Sequence, residues 1–403
     1  MKAKGYNNTI TGAVVGGQCR LRMFGILLVI IIMTPSMWAQ QVVSMEDCIA
    51  HMRTHSDWVK AEQLSLEAKL AESKGAVNLP SPMLSMESPT GQFMTLGVTQ
   101  TMAFPSTYFL QHQQAKTMRS LATVDRDIQL AQLEFDLRKQ YILSSYALAY
   151  CALLAEQDDM YRKLQEECEI LYQKGLIGKL TFDMAQQQTT KMRLKLAIAE
   201  REKVEGLAML NQFCGYDSIH IPVAMDQLQF QPMSNSGNGE LFLRSQSQRL
   251  EAAQRSQQLA KHRALPGLML GYLNQGPKGN PAYYGLQFGI TVPLWWWTYR
   301  AEIQSAKYQA QALESQLLFE EKRRIAIVQS ATLQMKSLEG LWTKVPPTQS
   351  MMVMADANRL LEVGEINFAE FVLLVEQSFS EREQWLQIKR EMLLLNSTIH
   401  HFN

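Results

Sequence analysis

The chain has 403 residues, with 39 Lys and Arg against 38 Asp and Glu, so its formal net charge is +1. That near-balance lacks the basic excess a nucleic-acid-binding surface needs. A mean hydropathy of −0.16 with 19% charged residues excludes a bundle of transmembrane helices, and 46% hydrophobic residues excludes extended disorder.

In chain order, the first feature is the unbroken apolar run at 23–33, too short to span a bilayer that takes about 20 residues. Arg20 and Arg22 precede it, and Pro35, Ser36 and Ala39 follow. Charge, apolar stretch and small residue make residues 1–39 a secretory signal peptide, cleaved after Ala39. Cys19 precedes the run and Cys48 lies too far beyond it for lipid attachment, so no acyl anchor is expected. Cys151 and Cys168 fall on one predicted helix about 25 Å apart and cannot pair. Cys48 with Cys214 is possible, but spacing gives it no support; the cysteines read mainly as small core residues.

Beyond the signal the chain reads as two similar halves, 40–215 and 239–403, joined by a polar linker at 216–238 that holds Pro222, Pro232 and a Ser-Asn-Gly tract. Each half begins with a helical segment, 45–76 and then 241–264, stopped by Pro80 and by Pro266. Two short alternating runs follow, 83–87 with 93–104 and 268–273 with 283–292. The second run of each pair has period two: Leu96, Val98, Gln100, Met102, Phe104 against Tyr284, Leu286, Phe288, Ile290, Val292. Their connecting turns, 87–92 and 274–282, lie remote from the long helices.

Pro105 and Pro293 then open very long helical patterns, 106–174 and 298–363. The first would extend about 100 Å, beyond the diameter of a globular domain. Val124, Ile128, Ala131 and Phe135 form one apolar row, and Leu130, Leu133 and Leu137 a second, as suits a helix packed between two neighbours. Pro346 and Pro347 predict a kink or restart in the second pattern. Both reach matching turns: Gly175, Phe182 and Gln188 correspond at one constant offset to Gly364, Phe371 and Gln377. Return helices at 181–213 and 369–401 complete the halves.

Four strands are too few to enclose a water-filled membrane barrel, and an open sheet edge is not tolerated in lipid. Three chains would supply twelve. Trp295, Trp296, Trp297 and Tyr299, where the last strand becomes helix, fit an interfacial aromatic girdle; the alternative is a packing cluster at the junction. The fold class is therefore mainly α with a small β part: long antiparallel coiled-coil helices in a bundle or a closed ring, plus four strands per chain that other copies must complete.

In this duplicated order the chain resembles the TolC family of outer-membrane efflux ducts over nearly its whole mature length. Residues 265–294 (LPGLMLGYLNQ, then YGLQFGITVPLW) and 364–377 (GEINFAEFVLLVEQ) are similar to the heavy-metal branch that includes CusC and CzcC proteins. The resemblance implies a homotrimer whose four strands per chain form a twelve-stranded trimeric β-barrel in outer-membrane lipid, and whose long helices form an α-barrel tunnel extending into the periplasm. It implies a passive duct, not an enzyme, without cofactor, that docks on a periplasmic adaptor and an inner-membrane RND-type pump and exports heavy-metal cations. It also implies a periplasmic entrance ringed by acidic side chains just after the tip glycines, carried here by Glu370 past Gly364 and by Asp183 past Gly175. A drug-efflux or type I secretion duct of the same fold, and a periplasmic coiled-coil scaffold or adaptor, remain alternatives.

No nucleotide loop, catalytic triad or zinc-protease motif is present. Cys48, His51 and His55 would share one helix face, but a fourth metal ligand is not visible and the reading is a polar face beside a buried thiol. The 23 Met, including Met351, Met352 and Met354, read as core packing, and His400 and His401 as solvated terminal residues.

Overall fold

The computed structural model describes residues 41–88, 91, 93–230, 237–277, 283–344 and 347–403. The signal-peptide reading at 1–39 therefore lies outside the described residues. A short strand, β1 (Gln41–Val43), leads into α1 (Met45–His55). Ser44 caps this helix, its hydroxyl accepting from the Asp47 amide at 3.1 Å. The helix expected at 45–76 does not run through. It breaks at Ser56, whose backbone is extended (ψ 129°), and resumes as α2 (Asp57–Lys74). The break lets the chain pass Gly215, where an added Cβ would come within 3.4 Å of the Ser56 backbone.

Next come β2 (Met83–Glu87), β3 (Phe93–Met102) and then α3 (Pro105–Gln173), one unbroken helix of 69 residues with proline in its first turn. At 1.5 Å per residue it is about 100 Å long. It turns back as α4 (Lys179–Cys214). The second half supplies α5 (Asn238–Arg263), β5 (Gly267–Pro277), β6 (Tyr283–Thr291), α6 (Trp296–Trp342), α7 (Pro347–Glu362) and α8 (Phe368–Phe402). The second long helix is interrupted between Trp342 and Pro347, where the proline pair predicts a restart. β5 is longer than its alternation suggested and takes up residues 274–277, so the outer turn expected from 274 begins only after Pro277.

The two hairpins β2–β3 and β5–β6 join through an antiparallel β3–β5 pairing, giving one four-stranded sheet in the order β2-β3-β5-β6. Nearest the sheet, α2, α3, α5 and α6 pack as successive neighbours; toward the other end, α4, α3, α8 and α7 do. Cys151, Leu154, Tyr161 and Leu164 of α3 meet Met192 and Ala199 of α4, Ala357 of α7 and Phe371, Val375 and Phe379 of α8 in one core. Of the apolar rows at 124–137 on α3, Leu133 and Leu137 pack with Leu210 of α4, and Phe135 stacks on His401 of α8, so these members meet two neighbours.

The linker is not wholly loop. β4 (His220–Pro222) pairs with β1, and Asn211 fixes its start: the His220 amide donates to Asn211 Oδ1 at 3.0 Å. Fully buried Tyr141 on α3 ties the two sides together. Its hydroxyl donates to Val43 O at 2.7 Å and accepts from the Val223 amide at 2.9 Å. Burial pushes this phenol up to about 12. His401 is not a solvated terminal residue: it stacks on Phe135 at 4.3 Å, and burial lowers its pKa.

Candidate membrane wall and tunnel tip

The strand register sorts the sheet's side chains into two chemically different faces. One face carries the rows Leu84–Val98–Tyr272–Leu286 and Gln100–Leu270–Phe288, with Met102–Leu268–Ile290 beside them. The large apolar members of these rows other than Met102 are solvent-exposed in the single chain, Leu286 and Phe288 by more than 70%. Gln100 is the polar exception, and its amide is satisfied locally, donating to Pro80 O at 2.6 Å and Thr101 O at 2.9 Å. The opposite face carries Ser85–Gly97–Leu273–Gly285, Met83–Thr99–Gly271–Gln287 and Thr101–Met269–Gly289, mostly small or polar residues with Met83, Met269 and Leu273 among them. Gly97 leaves room there for its neighbours: a Cβ would fall 2.6 Å from Ser85 Oγ and 2.8 Å from a Leu273 methyl, so both side chains would have to shift. A strongly apolar side and a mostly small or polar side on one sheet are what a barrel wall between lipid and water needs.

The sheet's outer strands are β2 and β6, and no described strand covers their free edges. Where β6 passes into α6, Trp295, Trp296 and Trp297 are all exposed and pack on one another, with ring centroids 5.2 Å apart for Trp295–Trp297 and 6.3 Å for Trp296–Trp297. Tyr299 follows on the first turn and is half-buried. The cluster therefore does not serve a core in the single chain.

At the far end the two matching turns have the same geometry. Gly175 has φ +73° and Gly364 φ +75°. After α3, the Leu176 amide donates to Leu171 O and the Gly175 amide to Tyr172 O; after α7, Glu365 donates to Leu360 O and Gly364 to Leu361 O. Both are paired six-to-one and five-to-two closures that need a left-handed residue, which is the reason for glycine. Ile366 and Phe368 pack on the core that holds Leu164, so both turns lie at one end of the helices.

Glu370 is exposed but not free. It forms a capping box with Asn367, its carboxylate accepting from the Asn367 amide at 2.9 Å while its own amide donates to Asn367 Oδ1 at 3.0 Å. Asp183 is exposed on the first turns of α4, whose N-cap is Gly178 and lacks a side-chain cap.

No protein-family profile and no curated protein sequence matches the chain. Solved structures do. The outer membrane channel CmeC of Campylobacter jejuni superposes with a TM-score of 0.75 at 14% identity, covering 89% of this chain and 85% of that one. CusC gives 0.74 at 14% identity, covering 91% and 93%. The open-state outer membrane channel MtrE of Neisseria gonorrhoeae gives 0.71 at 14% identity, covering 89% and 88%. The fold is that of the TolC-type outer-membrane channels. The likeness spans almost the full length on both sides, so strands, long helices and return helices all take part.

Within this TolC-type fold, the sequence reading missed one cluster. His55, His51, Tyr216 and His220 form a stack of four rings, with successive centroids 4.1, 4.1 and 3.9 Å apart. Parallel stacking aims ring nitrogens past one another rather than at a common point. Among the described residues no group of three or more His, Cys, Asp or Glu could hold a metal ion. Cys48 instead faces Cys214, both fully buried with Met52, Leu137 and Tyr141. The residues of that contact lie far apart in sequence, which is why spacing could not find it. Of the clustered methionines, Met354 packs on the core, whereas Met351 and Met352 are exposed on α7.

Proposed function

We propose that the chain is the outer-membrane duct of a tripartite efflux system, acting as a homotrimer that conducts passively and catalyses nothing. The observation that carries this reading is the sheet: strongly apolar on one face, mostly small or polar on the other, and open at both edges. In lipid an unpaired edge is costly at every amide, so β6 of one copy must meet β2 of the next until the sheet closes on itself. Three copies give a twelve-stranded barrel. The exposed Trp295, Trp296 and Trp297, with Tyr299, then form its periplasmic girdle, and the helices continue as a tunnel.

The tip defined by Gly175 and Gly364 faces the periplasm in this arrangement, where an adaptor protein and an inner-membrane RND-type pump deliver cargo. Asp183 and Glu370 line the entrance as threefold carboxylates that attract cations. Heavy-metal cations are the proposed cargo. TM-scores of 0.74 for CusC and 0.75 for CmeC are equal in effect, so the support for metal is the resemblance at 265–294 and 364–377.

The duct reading is tested on protein extracted from the outer-membrane fraction and added to planar bilayers. Stepwise ion conductance is the expected result. Release of the protein by osmotic shock without detergent, and no conductance, would make it a periplasmic scaffold. Cargo is tested separately by deletion: growth inhibited by copper, zinc or cadmium salts supports metal, and sensitivity confined to dyes and antibiotics replaces it with drug efflux.

A further inference from the structure

Cys48 sits on α1 and Cys214 is the last residue of α4. Both are 0% exposed and belong to one buried cluster with Val43, Ile49, Met52, Leu137, Tyr141 and Leu210. The backbones around them are also held together. His51, one turn beyond Cys48, lies with Nδ1 2.8 Å from Cys214 O, and Gly215 packs against His55 and Ser56. Both thiols are free in the structure, and Cys48 raises the pKa of Cys214, as a thiol close beside it would. Cys151 and Cys168 lack such a mate, since they lie about 25 Å apart along one helix.

We propose that Cys48 and Cys214 form a disulfide in the exported protein, stapling α1 to the end of α4. The staple closes a loop that runs through α2, the first membrane hairpin, all of α3 and back along α4. This rests on the duct reading, because an envelope location supplies the oxidising environment such a bond needs. The oxidant is the disulfide of a thiol–disulfide oxidoreductase. The Cys48 thiolate attacks one sulfur of that disulfide, forming a mixed disulfide and releasing the oxidant's first thiolate. The Cys214 thiolate then attacks Cys48 sulfur and displaces the second. Two cysteine thiols give up two electrons and two protons, and the oxidant departs as a dithiol.

Neither sulfur is accessible in the folded chain, so the exchange takes place before α1 docks on Leu137 and Tyr141. Burial then protects the bond from soluble reductants. The hydrogen bond with Cys48 and then burial push the Cys214 thiol up, so an unoxidised pair would stay protonated and inert once enclosed. The ring stack of His55, His51, Tyr216 and His220 beside the pair is a further barrier to solvent.

The test uses the full protein extracted in mild detergent from the outer-membrane fraction without reductant, then denatured in excess maleimide. Peptide mass spectrometry should find Cys48 linked to Cys214, with Cys151 and Cys168 alkylated. Alkylation of all four cysteines in protein that is trimeric and in the outer membrane would overturn the disulfide and leave the duct standing. Free thiols in protein found elsewhere would overturn both readings, and fractionation distinguishes the two failures. A second measurement separates the bond from mere packing. Parent protein unfolded with reductant and refolded should melt several degrees below protein never reduced, whereas Cys48→Ala/Cys214→Ala should melt at one temperature with or without reductant. An unchanged parent melting temperature would count against the staple.

Discussion

The two long helical paths of the duplicated chain occupy equivalent places and differ in what they touch. α3 is continuous and buries side chains from Thr107 to Cys168, packed against α2, α4, α5 and α8 along its course. Its counterpart is split into α6 and α7, and α6 buries only Ala310, Ala331 and Met335 among its described residues. Large apolar residues on α6 stay exposed instead, Tyr308, Leu318, Phe319 and Leu333 among them. The first path is the internal spine of one protomer. In the proposed trimer the second is the surface that another copy covers, which would account for its proline break and its apolar exterior.

Substitutions on the two paths should therefore fail in different ways. Leu154 on α3 is 2% exposed within the tip core, and Leu154→Ala should cost about 2–5 kcal/mol of protomer stability. Leu333 on α6 is 68% exposed, and Leu333→Ala should leave protomer unfolding nearly unchanged while raising the fraction of dissociated trimer. Thermal melts and detergent-titrated native gels read the two effects; equal protomer destabilisation by both would erase the distinction. Tyr141→Phe tests the spine's contact with the N-terminal strand. It leaves Val43 O and the Val223 amide without their partner and should cost about 1–3 kcal/mol.

The tips should behave alike, since their closures are alike. Gly175→Ala and Gly364→Ala each place a Cβ at positive φ and should each cost about 1 kcal/mol, additively, in denaturant titrations. A large difference between them would mean that the second tip is held by something its backbone does not reveal. The smallest stability effect belongs to Glu370→Gln. Gln retains the capping box with Asn367, so only the carboxylate's favourable interaction with the helix N-terminus is lost, a few tenths of a kcal/mol. Single-channel recordings should nevertheless show reduced cation preference. Unchanged selectivity would make Glu370 a cap alone and move the entrance elsewhere.

Much of this organisation was legible because it is local. Proline boundaries, period-two strands and paired glycine turns are each set by a few neighbouring residues, and Gly175 and Gly364 take the left-handed conformation their sequence context demanded. What was not legible depends on tertiary contact. Ser56 makes no side-chain cap to the helix it begins, and the break falls where its backbone packs against Gly215, a contact distant in sequence. β4 exists because β1 and Asn211 meet it from elsewhere. The joining of the hairpins through β3 and β5 depends on a register that alternation alone does not specify. Glu370 reads from the sequence as an acidic group near a helix N-terminus, and the capping box gives it a local partner in Asn367, three residues before it.

The central claim is that the free edges of β2 and β6 meet in neighbouring copies until three chains close one barrel. Native mass spectrometry of the protein extracted in mild detergent, with infrared measurement of its β content on the same preparation, addresses it most directly. The account predicts one dominant species of three chains, which loses its sheet signal when dissociated. A stable single chain that keeps its sheet would contradict it, because a protomer whose edges are satisfied alone has no need of a barrel.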